Sequence, residues 1–402
     1  MSATWMQAAA ESGFGLDHLP LGRVEAAGRR QPAIRIGDRA LPLAAAADRL
    51  PAVPADLLRA ESTSPLLAAG PKVWADLRLS VQELLGSDAD AITLTTPLRD
   101  VTVLLPFEVA DYVDFYSSEH HAMNVGRLFR PDSPALPPNW KHLPIGYHGR
   151  SGTVVTSGTP IRRPNGQTRP PDSSAPTFGP SRRLDIEVEV GFVVGVPSVW
   201  GQPVPPEAFS QHVFGLVLLN DWSARDLQAW EYQPLGPFLG KSFATSVGAW
   251  ITPLSALESA RTAGPQQEPL LPYLRDPDPW TLALDLELAV NGTVVSRPPF
   301  ASTYYSPGQQ LAHMTSNGAS LRTGDLYASG TVSGPEREQV GSLLELTAGG
   351  AEPVPLADGR LLSFLEDGDE VRISGTAAGP NGGRVTLADV TGRIDPAPEQ
   401  PA

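Results

Sequence analysis

The sequence contains no cysteine. Disulfide staples, thiolate nucleophiles, iron–sulfur clusters and cysteine zinc sites are therefore excluded. Positive charge is also scarce: 30 Lys and Arg face 44 Asp and Glu, a net charge of −14. Binding nucleic acid requires a basic surface that displaces counterions, so a nucleic-acid partner is excluded as well. No apolar run approaches the roughly 20 residues of a membrane helix, so no membrane partner is expected. The stretch Met1–Leu19 carries Glu11 and Asp17 and lacks a basic start followed by an apolar core. No signal peptide is visible there, and a cytoplasmic location is expected. The Gly-x-Ser-x-Gly elbow of serine hydrolases is missing. Leu235–Ser242 imitates a phosphate-binding loop but is one residue short between its glycines, and Pro237 removes an amide that such a loop uses. An NTPase is rejected on that ground.

What is present fits a globular chain. Its 402 residues are 41% hydrophobic, enough for one large domain and a smaller one. The 42 prolines and 38 glycines are scattered between apolar runs and mark turns. Residues 1 to about 20 are weakly patterned. From Leu21 to Leu43 the chain reads as short strands, with Gly37-Asp38 as a turn. Ala44–Leu85 has helical spacing broken by prolines 51, 54, 65 and 71, which predicts several short helices. Nothing before about residue 105 gathers histidines, acids and glycines. The expected organisation is an N-terminal domain over 1–105, a catalytic domain over 106–395 and a flexible tail over 396–402.

The larger domain should be mainly β with some α. Strand-like runs include Thr153–Ser157, Leu184–Gly195, Phe214–Leu219, Leu282–Val290, Leu343–Leu346 and Glu370–Ile373. Asn-Gly pairs at 165, 291, 317 and 381 are hairpin signals. Helical patterns cover Asp111–Phe129 and Ser306–Thr315, with a shorter one after Asp221.

Chemistry concentrates first in Asp111–Arg130, which holds Asp114, Tyr116, His120, His121, Arg127 and Arg130. A hard-metal ligand, a general base and anion-binding groups are rarely so close, and this stretch reads as one wall of a pocket. In Leu184–Val194 acids alternate with aliphatics, placing Asp185, Glu187 and Glu189 on one strand face. On pattern alone a solvated strand is the commoner outcome. However, the continuously apolar Phe214–Leu219 is a buried strand that exits at Asn220-Asp221, a common place for site residues. Asp221 reads as the N-cap of a helix, with Arg225, Gln228 and Tyr232 continuing a polar stripe. Lys241, in a Gly/Phe-lined turn, is a partly desolvated cation able to face developing negative charge. Glu345 sits in an apolar run where a carboxylate needs a partner, and a histidine is the obvious one.

Together these segments resemble the fumarylacetoacetase (fumarylacetoacetate hydrolase) family. The resemblance is carried by Asp114-Phe-Tyr-Ser-Ser, His121-Ala, Gly146-Tyr-His-Gly-Arg150, Glu187-x-Glu189 and Asn220-Asp-Trp-Ser-Ala-Arg-Asp226. It continues through Pro234-Leu-Gly-Pro-Phe-Leu-Gly-Lys-Ser242 and Gly330-Thr-Val-Ser-Gly-Pro335, and spans nearly the whole chain. It implies a small SH3-like N-terminal β domain, a large mixed β-roll domain and a homodimer. It also implies Ca²⁺ or Mg²⁺ held by Asp114, Glu187, Glu189 and Asp221, with help from Lys241 and Thr245. Four carboxylates without a soft ligand agree with a hard ion.

The implied reaction is hydrolysis of a carbon–carbon bond in 4-fumarylacetoacetate, a small dianionic diketo acid. In that reading His121, oriented by Glu345, activates water. Arg225, Gln228 and Lys241 stabilise the oxyanion and leaving group. Tyr116, Arg130, Tyr147, Tyr232 and Thr331 shape the pocket and bind the substrate's carboxylates. His121 is preferred to His120 on the resemblance. Glu119-His120 stands where the family more often has Arg-Gln, and Met123 where a smaller polar residue is usual, which bears on substrate preference. The alternative enzyme is an acylpyruvate hydrolase or keto-acid decarboxylase of the same superfamily. A metal-binding scaffold without catalysis is the alternative from another class.

Overall fold

The computed structural model describes residues 2–87, 90–129, 132–170 and 173–399. Among them a 13-stranded sheet forms the spine of the molecule and a 5-stranded sheet packs beside it. Helices are mostly short and peripheral, so the expectation of a mainly β chain with some helices holds.

The buried strand Val213–Asp221 lies near the middle of the large sheet, and all nine of its residues are buried. It pairs antiparallel with Val188–Val194, setting Val188 opposite Asn220 and Glu189 opposite Leu219. On the far side of Val188–Val194 comes Leu326–Ala328, then Tyr112–Phe115, then Gly146–His148. The strand Thr245–Val247 closes the other flank, with Asp221 opposite Thr245. Apolar cores cover both faces of this sheet. Val188, Val190 and Phe192 belong to one core, while Val193, Leu219 and Tyr112 belong to the other. Continuous apolar runs follow from that double cover, and each fully buried aliphatic or aromatic side chain contributes roughly 1.5–3 kcal/mol.

The N-terminal strands Leu21–Ala26, Arg29–Ile36 and Arg39–Pro42 form where expected, with Gly37-Asp38 as the turn. They extend the large sheet, since Leu21 pairs with Ile251 and Gly22 with Trp250. The proline-broken stretch gives short helices at Leu43–Ala46, Ala55–Leu58 and Ser64–Ala68, then one of 17 residues at Pro71–Ser87. The weakly patterned N-terminus contains a helix, Ser2–Glu11.

Several local expectations are corrected. Asp111–Phe129 is not one helix: Tyr112–Phe115 is a strand, and the helix starts at Glu119. Alternation over four residues mimics a helical face, and the parallel partner Leu326–Ala328 decides between them. Leu343–Leu346 is a helical turn, not a strand. Asp221 ends its strand, and Ala224 occupies the N-cap position of the helix Arg225–Glu231. Of the Asn-Gly pairs, 291 and 381 do turn hairpins, with positive φ at both residues. Asn165-Gly166 lies within a strand, and Asn317-Gly318 leads out of the helix Pro307–Thr315.

His18 ties the N-terminal segment to the large sheet. It is 1% exposed and places Nδ1 3.0 Å from the Gly13 carbonyl and Nε2 3.0 Å from Thr252 Oγ1. Burial, reinforced by Arg35 and Arg78 against the pull of the Gly13 carbonyl, lowers its pKa from 6.5 to about 3. The unfolded chain therefore takes up this proton first. The neutral histidine's contribution is full above about pH 6.5 and is lost as pH falls toward the folded value. Between pH 7 and pH 5 that loss is roughly 2 kcal/mol. Urea unfolding at the two pH values should show it in the parent protein and show it reduced in His18→Gln. An equal loss in both would remove His18 from the account.

Candidate active site

The strand pairings bring Asp114, Glu189 and Asp221 to the same end of the large sheet, and Glu187 joins them from the residue before its strand. Each of the four offers an oxygen, all within 4.8 Å of one another, and all four side chains are buried. The solvated-strand reading of Glu187 and Glu189 is thus corrected, because the sheet is covered on both faces. Asp185 does not join the group. The strand breaks at Ile186-Glu187, and Asp185 turns instead toward Arg225.

Two of the four carboxylates have counter-charges. Lys241 Nζ bridges Glu187 Oε2 and Asp221 Oδ2, the latter at 2.6 Å. Arg225 Nη1 stands 2.8 Å from Glu187 Oε1. Burial pushes Glu187 up, but Lys241, Arg225 and His121 outweigh it and bring its pKa to about 2. Asp221 is held above its ordinary value by burial and Glu187, despite Lys241 and a hydrogen bond from Tyr147. Tyr147 Oη donates to Asp221 Oδ2 at 3.1 Å, and Thr245 Oγ1 to Oδ1 at 3.2 Å. Lys241 itself is held above its ordinary value, since Asp221 and Glu187 outweigh its burial.

The other two lack such support. Both oxygens of Glu189 and Oδ1 of Asp114 are buried without a hydrogen-bond partner among the described residues. Burial first, then repulsion from neighbouring carboxylates, pushes both groups well above the usual carboxylate range. Orphaned buried carboxylate oxygens are costly unless something positive meets them. An all-oxygen donor set with surplus negative charge fits a divalent hard cation.

A histidine pair lies alongside. His121, on the helix Glu119–Phe129, is buried, whereas His120 is partly exposed. His121 Nδ1 is 2.7 Å from Glu345 Oε2. A carboxylate can only accept, so Nδ1 carries a proton, and in the neutral ring that leaves the lone pair on Nε2. That Nε2 lies 4.0 Å from Glu187 Oε1. Glu345 is gripped from all sides: Asn124 donates to Oε1 at 3.0 Å, and Ser333 and Ser342 to Oε2 at 3.0 and 2.7 Å. Burial pushes its pKa up, but His121, Asn124 and Ser342 hold it below the ordinary value. Gly330 permits the loop that supplies Ser333. Its φ is +76°, and a Cβ there would meet the Phe115 carbonyl oxygen at 2.2 Å.

These groups open on a cavity of about 380 Å³ lined by Asp114, Tyr116, His121, Tyr147, Glu187, Glu189, Arg225, Gln228, Tyr232, Lys241 and Thr331. Asp221 and Thr245 line an adjoining cavity of about 110 Å³. Glu345 stands behind His121. Arg130, also expected in the site, lies outside the described residues. The sequence reading missed Asn124, Ser333 and Ser342. Two signals were available: Asn124 is one helical turn beyond His121, and Ser342-x-x-Glu345 is a helix-start signature. The Ser342 hydroxyl accepts from the Glu345 amide as that signature requires.

A buried all-carboxylate cluster beside a histidine–glutamate pair fits one class, a hydrolase that works with a bound metal ion. The sequence matches the family description "Fumarylacetoacetate (FAA) hydrolase C-terminal" over residues 111–386 and "Fumarylacetoacetase N-terminal" over residues 17–106. The chain belongs to the fumarylacetoacetate hydrolase family. It is 43% identical to the fumarylacetoacetase of Caenorhabditis elegans, covering 96% of this chain and 97% of that one. It is 41% identical to the human fumarylacetoacetase, covering 98% and 99%. By fold it resembles the fumarylacetoacetate hydrolase of Exiguobacterium antarcticum, with TM-score 0.55, 16% identity and 94% and 99% of the two chains covered. It also resembles a maleylpyruvate hydrolase from Sphingobium crystallised with manganese(II) and pyruvate, with TM-score 0.54, 16% identity and coverage of 94% and 100%.

The orphaned oxygens make a direct prediction. A divalent cation at 100 times its dissociation constant should stabilise metal-stripped protein by about 2.7 kcal/mol, read as a rise in melting temperature. Glu189→Gln should lose most of that rise. A rise of the same size in the variant would place the ion elsewhere.

Proposed function

We propose that this protein hydrolyses the carbon–carbon bond of 4-fumarylacetoacetate, giving fumarate and acetoacetate, the last step of tyrosine and phenylalanine breakdown. The observation that carries this reading is the 41–43% identity, over almost the full chain, to relatives named fumarylacetoacetase. The His121–Glu345 pair and the carboxylate cluster on one cavity are the machinery such a reaction requires.

Its difficulty is the leaving group, a carbanion that must depart as an enolate. In our reading Glu345 fixes the His121 ring with Nε2 toward the cavity. Nε2 takes a proton from water as the water oxygen bonds to the carbonyl carbon beside the fumaryl part. The carbonyl electron pair becomes an oxyanion and then returns as the carbon–carbon bond breaks. The bonding pair leaves on the acetoacetate fragment, which takes up the proton held on His121 Nε2 as it departs. Arg225, Gln228 and Lys241 face the charge that develops. Arg225 Nη2, buried with no partner among the described residues, has a donor to spare for it. Tyr116, Tyr147, Tyr232 and Thr331 shape the cavity around the substrate, and Arg130 is assigned to a substrate carboxylate.

Asp114, Glu187, Glu189 and Asp221 would hold Ca²⁺ or Mg²⁺, with Thr245 and Lys241 in support. Lys241 Nζ reaches the same carboxylates that would hold the ion. When bound, such an ion acts as a Lewis acid on oxygens that gain negative charge. The same proposal includes an SH3-like N-terminal unit over 1–105, a catalytic unit over 106–395, a tail over 396–402, a homodimer and a cytoplasmic location. The small antiparallel N-terminal strands support the first of these. No helix among the described residues is long and apolar enough to cross a membrane.

Purified protein should consume fumarylacetoacetate, seen as loss of its ultraviolet absorbance. A chelator should stop turnover, and Ca²⁺ or Mg²⁺ should restore it. His121→Ala should lower kcat by about 10³-fold, within the range for a lost general base. Parental activity in that variant would sink the base assignment. Turnover of acylpyruvates with none of fumarylacetoacetate would move the protein to another activity of its superfamily.

A further inference from the structure

Asp185 is a completely buried acid that neither lines the cavity nor belongs to the carboxylate cluster. Its side chain is nevertheless fully engaged. Oδ1 accepts from the Ile186 amide at 2.8 Å and the Leu343 amide at 2.8 Å. Oδ2 accepts from the Leu344 amide at 3.0 Å and from Arg225 Nε at 2.7 Å. A carboxylate with four donors at such distances has little freedom left.

Those donors belong to two separate working parts. Leu343 and Leu344 open the helical turn Leu343–Leu346, whose third residue is Glu345. Arg225 opens the helix Arg225–Glu231. With Nε bound to Asp185, the guanidinium fork is turned so that Nη1 meets Glu187 Oε1 at 2.8 Å and Gln228 Oε1 at 3.2 Å. Nη2 is left without a hydrogen-bond partner among the described residues. Glu345 and Arg225 come from distant parts of the sequence, and Asp185 bonds directly to both segments.

We propose that Asp185 is a positioning residue that sets Arg225 and the Glu345-bearing turn in register with each other. It thereby aligns the base that activates water with the cation that receives the developing charge. The inference rests on the roles given above to Glu345 and Arg225. Its chemistry is specific to a carboxylate. An asparagine of the same shape presents an N–H₂ where the surroundings offer only N–H donors, so two of the four bonds become donor against donor. Displacements near 1 Å at working groups cost on the order of 100-fold in rate.

The test is a kinetic cycle with fumarylacetoacetate on holoenzyme, using Asp185→Asn, Glu345→Gln and the double variant. Asp185→Asn should lower kcat about 100-fold while KM and the divalent-ion requirement stay within about threefold. In the Glu345→Gln background the same change should cost less than about tenfold, because part of what it displaces is already gone. Parental kcat in an Asp185→Asn that merely melts earlier would make Asp185 a scaffold residue and overturn the proposal. An equal loss in both backgrounds would overturn it too. Undiminished kcat in Glu345→Gln alone would instead sink the reading of the His121–Glu345 pair, independently of the Asp185 arm. Should Asp185→Asn show no cooperative melt, Asp185→Glu takes its place. It keeps the charge beside Arg225 and moves the carboxylate by one methylene. The same kcat loss is expected, and parental kcat would overturn the proposal.

Discussion

Four carboxylates share one buried space at the end of a sheet, with oxygens within 4.8 Å of one another. At an effective dielectric near 20, each ionised pair at that separation repels by roughly 3 kcal/mol. That is as much as burying a large aliphatic side chain contributes, and the four acids make six such pairs. Lys241 and Arg225 relieve Glu187, and Lys241 also pairs with Asp221, but among the described residues neither oxygen of Glu189 has a hydrogen-bond partner. A divalent cation is the simplest completion. The surrounding structure follows from keeping these groups together and dry.

The sheet does this by register. Antiparallel pairing places the start of Val188–Val194 and the end of Val213–Asp221 at one edge, and parallel pairing of Leu326–Ala328 with Tyr112–Phe115 adds Asp114. A slip of one residue in any of these pairings would turn an acid to the opposite face. Apolar cores on both faces make such slips costly. The proposed base is built separately, on a helix and a short turn, with His121 Nε2 facing Glu187 at 4.0 Å. The Leu343–Leu344 amides and Arg225 converge on Asp185, so one buried carboxylate spans both halves.

Much of this was legible in the residues. The alternation of acids in Leu184–Val194, the apolar run ending at Asp221 and the isolated Lys241 all pointed to the groups that gather here. Their convergence was not, because side-by-side placement of strands as distant in sequence as Tyr112–Phe115 and Leu326–Ala328 is a property of pairing that no local pattern carries. Glu187 and Glu189 look solvated until the second face of the sheet is known to be covered. Asp185 looks like their companion until the strand break at Ile186-Glu187 is seen. Glu345 was misplaced on a strand because four apolar-rich residues have no usable period, although Ser342 three positions earlier marked a helix start. The choice of His121 over His120 rests on family resemblance; of the two, His121 is the buried one and the one bonded to Glu345.

The central claim is that the buried carboxylates are completed by one divalent cation. Calorimetric titration of metal-stripped protein with Ca²⁺ and with Mg²⁺, in buffers of different ionisation enthalpy, tests it most directly. Asp114 and Glu189 are held well above the usual carboxylate range without a cation, and ligands must be ionised to bind one. The account predicts one ion per chain, with protons released into the buffer as it binds. Several weakly held ions with no proton release, or no binding at all, would contradict it.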